Sequence, residues 1–225
     1  MTEDLILTAY HEAGHAVACW CLGLPFSVVH IFEDGSGYVD TTQDDESDPD
    51  SDSRFWYFYS QDYPREPVPK EAMNDAKSRS IMHLAGPEAE RRLRTERGDL
   101  EQDDDLWFMF FVDYARHKPH YTEDVFKVLD DAWFLNRKTY RRKDPIENFP
   151  RYQPGLKRVE TLWKFWKTLN SKNVKFLYDL EIESWALVDV WWPEVKVVAD
   201  ALLKKGTLTF DECAELLSLT STIAA

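Results

Sequence analysis

The sequence predicts a mainly α protein of the α+β class, with a small β-sheet beside a helical core. Apolar residues recur at helical spacing near both ends of the chain, whereas strand-like patterns are confined to a short stretch around residue 30. The chain has 225 residues, of which 44% are hydrophobic, and this is enough to bury one sizeable core. We therefore expect a single domain over residues 1–225.

The first helix is predicted by its boundaries as well as by its spacing. Thr2, followed by Glu3 and Asp4, is typical of a helix N-terminus, and Gly23 followed by Pro25 is typical of its end. Residues 27–32 then read as a strand, and residues 37–39 as a returning strand after an Asp-Gly turn. Residues 40–53 form an acidic, loop-like tract, and prolines between residues 64 and 69 mark a linker.

A second helix is predicted over Glu71–Leu84, with Gly86-Pro87 kinking or restarting it. A further helix is predicted to open at Asp99, and residues 105–192 are rich in aromatic residues with a mostly helical pattern. Two helices close the chain. The first covers Trp192–Lys205 and ends at Gly206, and the second begins at a capping box formed by Thr209 and Glu212.

Charge and cysteine content restrict the class of function. The net charge of −14 argues against nucleic acid and anionic membranes as partners. Three cysteines form no disulfide framework and favour a reducing compartment, so we expect a cytoplasmic protein. The chain also has no glycine-rich nucleotide-binding loop, which predicts that it carries no ATP-driven motor of its own.

The most informative motif is His11-Glu12-Ala13-Gly14-His15 in the first helix. Residues four apart share one face of a helix, so the two imidazoles can bind one metal ion. Glu12 can then act as a general base toward a water at that ion. Two packed histidines without metal would be the structural alternative. A third ligand must come from further along the chain, because Cys21 is predicted to point away from the site.

Three segments together resemble the peptidase domain of the FtsH-type zinc metalloprotease family. They are residues 10–17 around the histidine motif, residues 84–92 and residues 98–102, and the last two helices are similar as well. The resemblance covers roughly residues 1–112 and 183–225. It implies a zincin-type metallopeptidase core over these residues, with a helical insertion at residues 113–182 and without the family's ATPase module.

The resemblance also implies the roles of individual residues. Zn²⁺ would be bound by His11, His15 and Asp99, and Glu12 would be the catalytic base. Glu90 is the next candidate ligand, but its expected role is to accept a hydrogen bond that orients a ligand histidine. Asp103, Asp104 and Asp105 are further acids near Asp99.

The predicted function is that of an ATP-independent zinc metalloendopeptidase, which hydrolyses peptide bonds in unstructured or flexible protein segments. A substrate strand could pair with the sheet edge near residues 28–32, by analogy with peptide β-addition. One alternative is a non-catalytic zinc-bound interaction module, with the aromatic insertion as its docking surface for a protein partner. Another is a hydrolase that acts on a different amide or on an ester.

Overall fold

The computed structural model describes residues 2–41, 70–99, 124, 127–128 and 171–223. Within these residues the protein is mainly helical, with a small antiparallel sheet, which confirms the predicted fold class. In chain order the elements are α1 (Glu3–Leu22), β1 (Val28–Ile31), β2 (Gly37–Asp40), α2 (Lys70–Arg97), α3 (Ser171–Val190), α4 (Trp192–Lys205), β3 (Thr207–Thr209) and α5 (Phe210–Ile223).

Helix α1 begins and ends where the sequence predicts. The Thr2 hydroxyl accepts a hydrogen bond from the Leu5 amide at 3.3 Å, which caps the N-terminus. At the other end Gly23 adopts a φ of 67°, and the Leu24 amide donates to the Cys19 carbonyl at 2.9 Å. Between these caps the helix is buried from Ala9 to Cys19, so its histidine motif lies inside the protein.

Helix α2 packs closely against α1 at a glycine. A Cβ on Gly14 would lie 2.4 Å from the carbonyl oxygen of Ala85 and 2.8 Å from the Ala89 side chain, so only glycine permits this approach. Of the two predicted alternatives at Gly86-Pro87, the restart is wrong, because α2 is one helix from Lys70 to Arg97 with Pro87 inside it. Tertiary packing of its buried face outweighs the backbone hydrogen bond that proline removes.

Residue Asp99, predicted to open a further helix, lies in the C-terminal cap of α2, and the residues that would continue that helix lie outside the described part of the chain. Gly98 has a φ of 78°, and the Asp99 amide donates to the Arg94 carbonyl at 2.8 Å. Together with the bond from the Gly98 amide to the Thr95 carbonyl at 3.0 Å, this forms a Schellman cap.

The sheet has the strand order β2-β1-β3, and both pairings are antiparallel. The central strand is therefore β1, and the prediction that residues 28–32 offer a free edge for a substrate is wrong. One side of β1 pairs with β2, and the other is occupied by β3, which arrives from the far end of the sequence. Among the described strands, β2 forms the edge of the sheet next to α1.

The C-terminal elements confirm the predicted caps. Helix α4 ends at Gly206, whose φ is 75°. The Glu212 amide donates to the Thr209 hydroxyl at 3.3 Å, and the Thr209 amide donates to the Glu212 carboxylate at 2.9 Å, which is the reciprocal pattern of a capping box.

The predicted insertion, residues 113–182, ends inside helix α3. This helix runs unbroken to Val190 and contacts α2, where the Ser184 hydroxyl donates to the Ile81 carbonyl at 3.0 Å. Residues 42–69 and most of the predicted insertion lie outside the described residues. In the described part of the chain, no helix has both the length and the apolar character that a bilayer crossing requires.

Candidate metal centre

The two histidines of the α1 motif lie side by side in the interior. His11 and His15 are one helical turn apart, both buried, and their Nε2 atoms are 3.0 Å from each other. Two buried nitrogen atoms that face one another at this distance are arranged to share a cation or a proton.

The third member of the site is Asp124. Its Oδ2 atom lies 3.1 Å from Nε2 of His11 and 3.5 Å from Nε2 of His15. His11, His15 and Asp124 thus form a buried group that can hold a metal ion. The Asp99 carboxylate, which the resemblance implied as third ligand, lies elsewhere. Asp99 is exposed at the cap of α2, and the structure brings Asp124 to the histidines in its place.

Nδ1 of each histidine, the ring nitrogen that faces away from the other histidine, forms a hydrogen bond with a residue of α2. Nδ1 of His11 is 2.7 Å from Oε1 of Glu90, and Nδ1 of His15 is 2.7 Å from the Met82 carbonyl oxygen. Both partners are acceptors, so each Nδ1 carries the proton and each Nε2 is left to bind a ligand. Glu90 thus makes the contact predicted for it, in which its carboxylate accepts a hydrogen bond from a histidine of the motif.

Glycine at position 86 makes room for the two imidazoles. A Cβ there would lie 2.4 Å from Nε2 of His15 and 2.8 Å from Cδ2 of His11, both well inside van der Waals contact. Helix α2 can therefore pass over the Nε2 sides of the two imidazole rings only because residue 86 has no side chain.

Protonation in this group is governed by the balance between burial and pairing. Burial alone would raise the pKa of Asp124, but the charge of His15 and hydrogen bonds from the histidines bring it well below its usual range. Burial alone would lower the pKa of His11, and the carboxylates of Asp124 and Glu90 outweigh this and raise it well above its usual value. The cluster thus keeps an ionised carboxylate and favours a cation beside it.

Glu12 lies at a cavity next to the same group. Its side chain is buried, and burial raises its pKa, an effect to which the carboxylates of Asp124 and Glu90 add while the two histidines oppose it. A Cβ on Gly37 would lie 2.7 Å from Cγ of Glu12, so the start of β2 is packed directly on this side chain.

The cavity has a volume of about 120 Å³ and combines the metal group with the edge of the sheet. Its walls include the three ligand residues, Glu12, His83, Lys127 and residues of β2 and its flanks. A cavity of this size can admit water, and acidic and basic groups lie on its wall.

Two residues of this site were not predicted as parts of it. In the sequence, Asp124 directly precedes Val125, and Val128 and Leu129 follow. Apolar residues at this spacing are typical of a helix, and this was the one signal near Asp124. His83 lies in the predicted second helix, where no local pattern assigns it a partner. Cys21 is packed against the apolar core, away from the metal group, as predicted.

A scan of protein-family models finds no match to this chain, and a search of curated proteins finds none either. The functional interpretation therefore depends on the geometry of the site and on the motifs of the sequence.

Proposed function

We propose that this protein is a zinc-dependent metallopeptidase that acts on flexible protein segments without ATP. The observation that carries the proposal is the triangle of Nε2 of His11, Nε2 of His15 and Oδ2 of Asp124, with sides of 3.0, 3.1 and 3.5 Å. Tetrahedral zinc with bonds of 2.0–2.1 Å requires ligand atoms about 3.3–3.4 Å apart. The three sides lie within about 0.4 Å of the spacing that one zinc ion needs.

The donor set also favours zinc with a hydrolytic role. Two imidazoles and one carboxylate form a ligand set that catalytic Zn²⁺ sites use, and three protein ligands leave a fourth position open. When bound, zinc lowers the pKa of a coordinated water toward neutrality and polarises the carbonyl under attack. The resemblance of the histidine motif to FtsH-type peptidases supports zinc at the two histidines, whereas the assignment of Asp124 as third ligand depends on the geometry of the site alone.

Glu12 is the group that moves the proton in this mechanism. Its carboxylate accepts a proton from the attacking water as the new C–O bond forms at the peptide carbonyl. It then delivers that proton to the amine nitrogen as the C–N bond breaks. Burial beside the metal group keeps its pKa above the usual value, which suits a base that must also act as an acid.

Strand β2 is the expected contact for the substrate backbone. It is an edge strand of the described sheet, and Tyr38, Val39 and the following Thr41 line the cavity beside Glu12. An extended peptide that pairs with this edge would pass the metal group. Folded domains expose such segments rarely, because global opening costs about 5–15 kcal/mol, so loops, termini and unfolded chains are the expected substrates.

We place this activity in a reducing, cytoplasmic setting, because the three cysteines are free and two of them are buried. The pKa of Cys19 is raised by burial to about 12, so its thiol is an inert packing group rather than a nucleophile.

The test compares wild type with Glu12→Gln and with the matched control Glu33→Gln, which changes an exposed glutamate on the loop after β1. Each zinc-loaded protein is incubated without ATP with one substrate in its native form and in a permanently unfolded form. We expect wild type and Glu33→Gln to cleave only the unfolded form. Glu12→Gln should retain zinc and lose about 10²–10⁴-fold in rate, the usual contribution of a general base.

Two results would contradict the proposal. One is unchanged turnover by Glu12→Gln, which would remove the assigned base. The other is a wild-type protein that binds zinc tightly and cleaves neither form of the substrate, which would favour the non-catalytic interaction module.

A further inference from the structure

Asp124 presents its two carboxylate oxygens to different partners. Oδ2 faces the Nε2 atoms of His11 and His15, whereas Oδ1 lies 3.3 Å from Nδ1 of His83. An ionised carboxylate only accepts hydrogen bonds, so the shared proton in the last contact belongs to Nδ1 of His83. Oδ2 therefore faces the metal position, and Oδ1 accepts the hydrogen bond from Nδ1 of His83.

The contact from His83 completes a pattern along α2. The Met82 carbonyl holds His15, Glu90 holds His11, and His83 reaches Asp124. One helix therefore provides an outer contact to each of the three candidate ligands. Because His11 and His15 share α1, their spacing is fixed by that helix, whereas Asp124 comes from a different part of the chain and needs its own restraint.

His83 is placed to supply this restraint rather than to bind the ion itself. Its side chain is buried at the cavity, and its ring centroid is 6.2 Å from that of His15. It does not belong to the group of atoms that can share one ion. A buried, charge-assisted hydrogen bond to one carboxylate oxygen limits rotation of the carboxylate about its Cβ–Cγ bond.

We propose that His83 is a positioning residue that fixes the Asp124 carboxylate for metal binding. The proposal rests on the metal-binding part of the function proposed above, but not on peptidase activity. It predicts that zinc affinity depends on a hydrogen-bond donor at the position of Nδ1, and that the dependence acts through Asp124.

The experiment measures the zinc affinity of the full chain by competition with a chelator of known affinity. The variants are His83→Leu, which removes the donor, and His83→Asn, whose amide can place a donor near the position of Nδ1. His83→Gln carries its amide one carbon further out. His30→Asn is the matched control, since His30 also bonds through Nδ1, but to Thr207 in the sheet. Thermal unfolding with chelator present reports whether each apo variant keeps its fold.

We expect His83→Leu and His83→Gln to weaken zinc binding about 10–100-fold, the usual effect of losing a partner of a metal ligand. His83→Asn and His30→Asn should stay close to wild type. In an Asp124→Ala background, His83→Leu should cause no further loss, because the residue through which it acts is already gone.

The outcomes separate this inference from the proposed function. A wild-type chain that binds no zinc would overturn the metal site itself. A wild type that binds zinc, with His83→Leu folded and equally tight, would overturn only the role of His83. If His83→Leu does not fold, the other two variants decide. Equal zinc affinities of His83→Asn and His83→Gln would overturn the role of His83. Zinc binding that stays tight in His83→Asn and weakens in His83→Gln would support it.

Discussion

Replacing Gly86 with alanine tests whether the metal site depends on the close approach of α2 to α1. The added methyl group would lie 2.4 Å from Nε2 and 2.6 Å from Cε1 of His15, and 2.8 Å from Cδ2 of His11. Ordinary contacts between such atoms are about 3.5 Å, so the overlap with the His15 ring is about 1 Å. The ring cannot turn away freely, because its Nδ1 is bound to the Met82 carbonyl.

The expected magnitude follows from how narrowly zinc tolerates displaced ligands. Ligand distances in a sound site vary by about 0.2 Å, which is far less than the shift that the methyl group imposes. Loss of an outer partner alone costs 10–100-fold, so displacing a ligand should cost at least about 100-fold, or roughly 2.7 kcal/mol. In the apo protein, crowding costs about 1–3 kcal/mol, and the better helix propensity of alanine offsets about 1 kcal/mol of it.

The assay is again zinc affinity by chelator competition, together with thermal unfolding with and without zinc. The matched control is Ala85→Gly, which weakens the same turn of α2 without adding atoms near the imidazoles. We expect Ala85→Gly to lower the unfolding temperature and to leave zinc affinity unchanged. A folded Gly86→Ala variant that binds zinc as tightly as wild type would refute the reasoning, because the imidazoles could then not be where the structure places them.

Three further predictions concern the third ligand, proton release and a buried carboxyl group. Asp124→Ala should reduce zinc affinity far more than Asp99→Ala, and equal losses would reject the assignment of Asp124. Because neighbouring carboxylates raise the pKa of His11, zinc must displace a proton there, so affinity should rise with pH and protons should be released on binding, which calorimetry in two buffers can measure. Burial raises the pKa of Glu88 from 4.5 to about 8, against the attraction of Arg91, so the folded state holds this proton more tightly than the unfolded state. The contribution of Glu88 to stability therefore falls as the pH rises from about 4.5 to about 8. Glu88→Gln should flatten that fall and raise the free energy of unfolding at pH 8 by roughly 4 kcal/mol, at about 1.4 kcal/mol per pH unit. If denaturant titrations give the two proteins the same dependence of the free energy of unfolding on pH, this prediction is contradicted.

The role of α2 explains why these predictions converge on one element. A single helix holds the outer nitrogens of both histidines, leaves a gap at Gly86 for their ligand edges, and reaches Asp124 through His83. Any change that moves α2 relative to α1 should therefore reduce metal affinity before it unfolds the protein. Gly14 on α1 and Gly86 on α2 are the two glycines at which these helices approach closely, since an added Cβ would lie 2.4 Å from the other helix at each.

Several features of this protein were determined by the sequence itself, because they depend on residues that are close along the chain. The caps of α1 and α5 and the glycine end of α4 follow from local hydrogen bonds and from the freedom of glycine to adopt positive φ. The pairing of His11 with His15 follows from the helical period alone. Glu12, the candidate general base predicted from the same motif, lies at the cavity.

Only the tertiary structure decided which residues complete the site and which strand forms its edge. Asp99 and Asp124 are both acids far along the chain from the histidines, and no local rule ranks them. The choice depends on which one the packing of the chain carries to the histidines. The edge was missed for a related reason, because β3 lies almost 180 residues after β1 and pairs with it only once the terminal helices have packed. Local sequence thus determined two of the three candidate metal ligands, and long-range packing determined the third candidate and the contacts that hold all three.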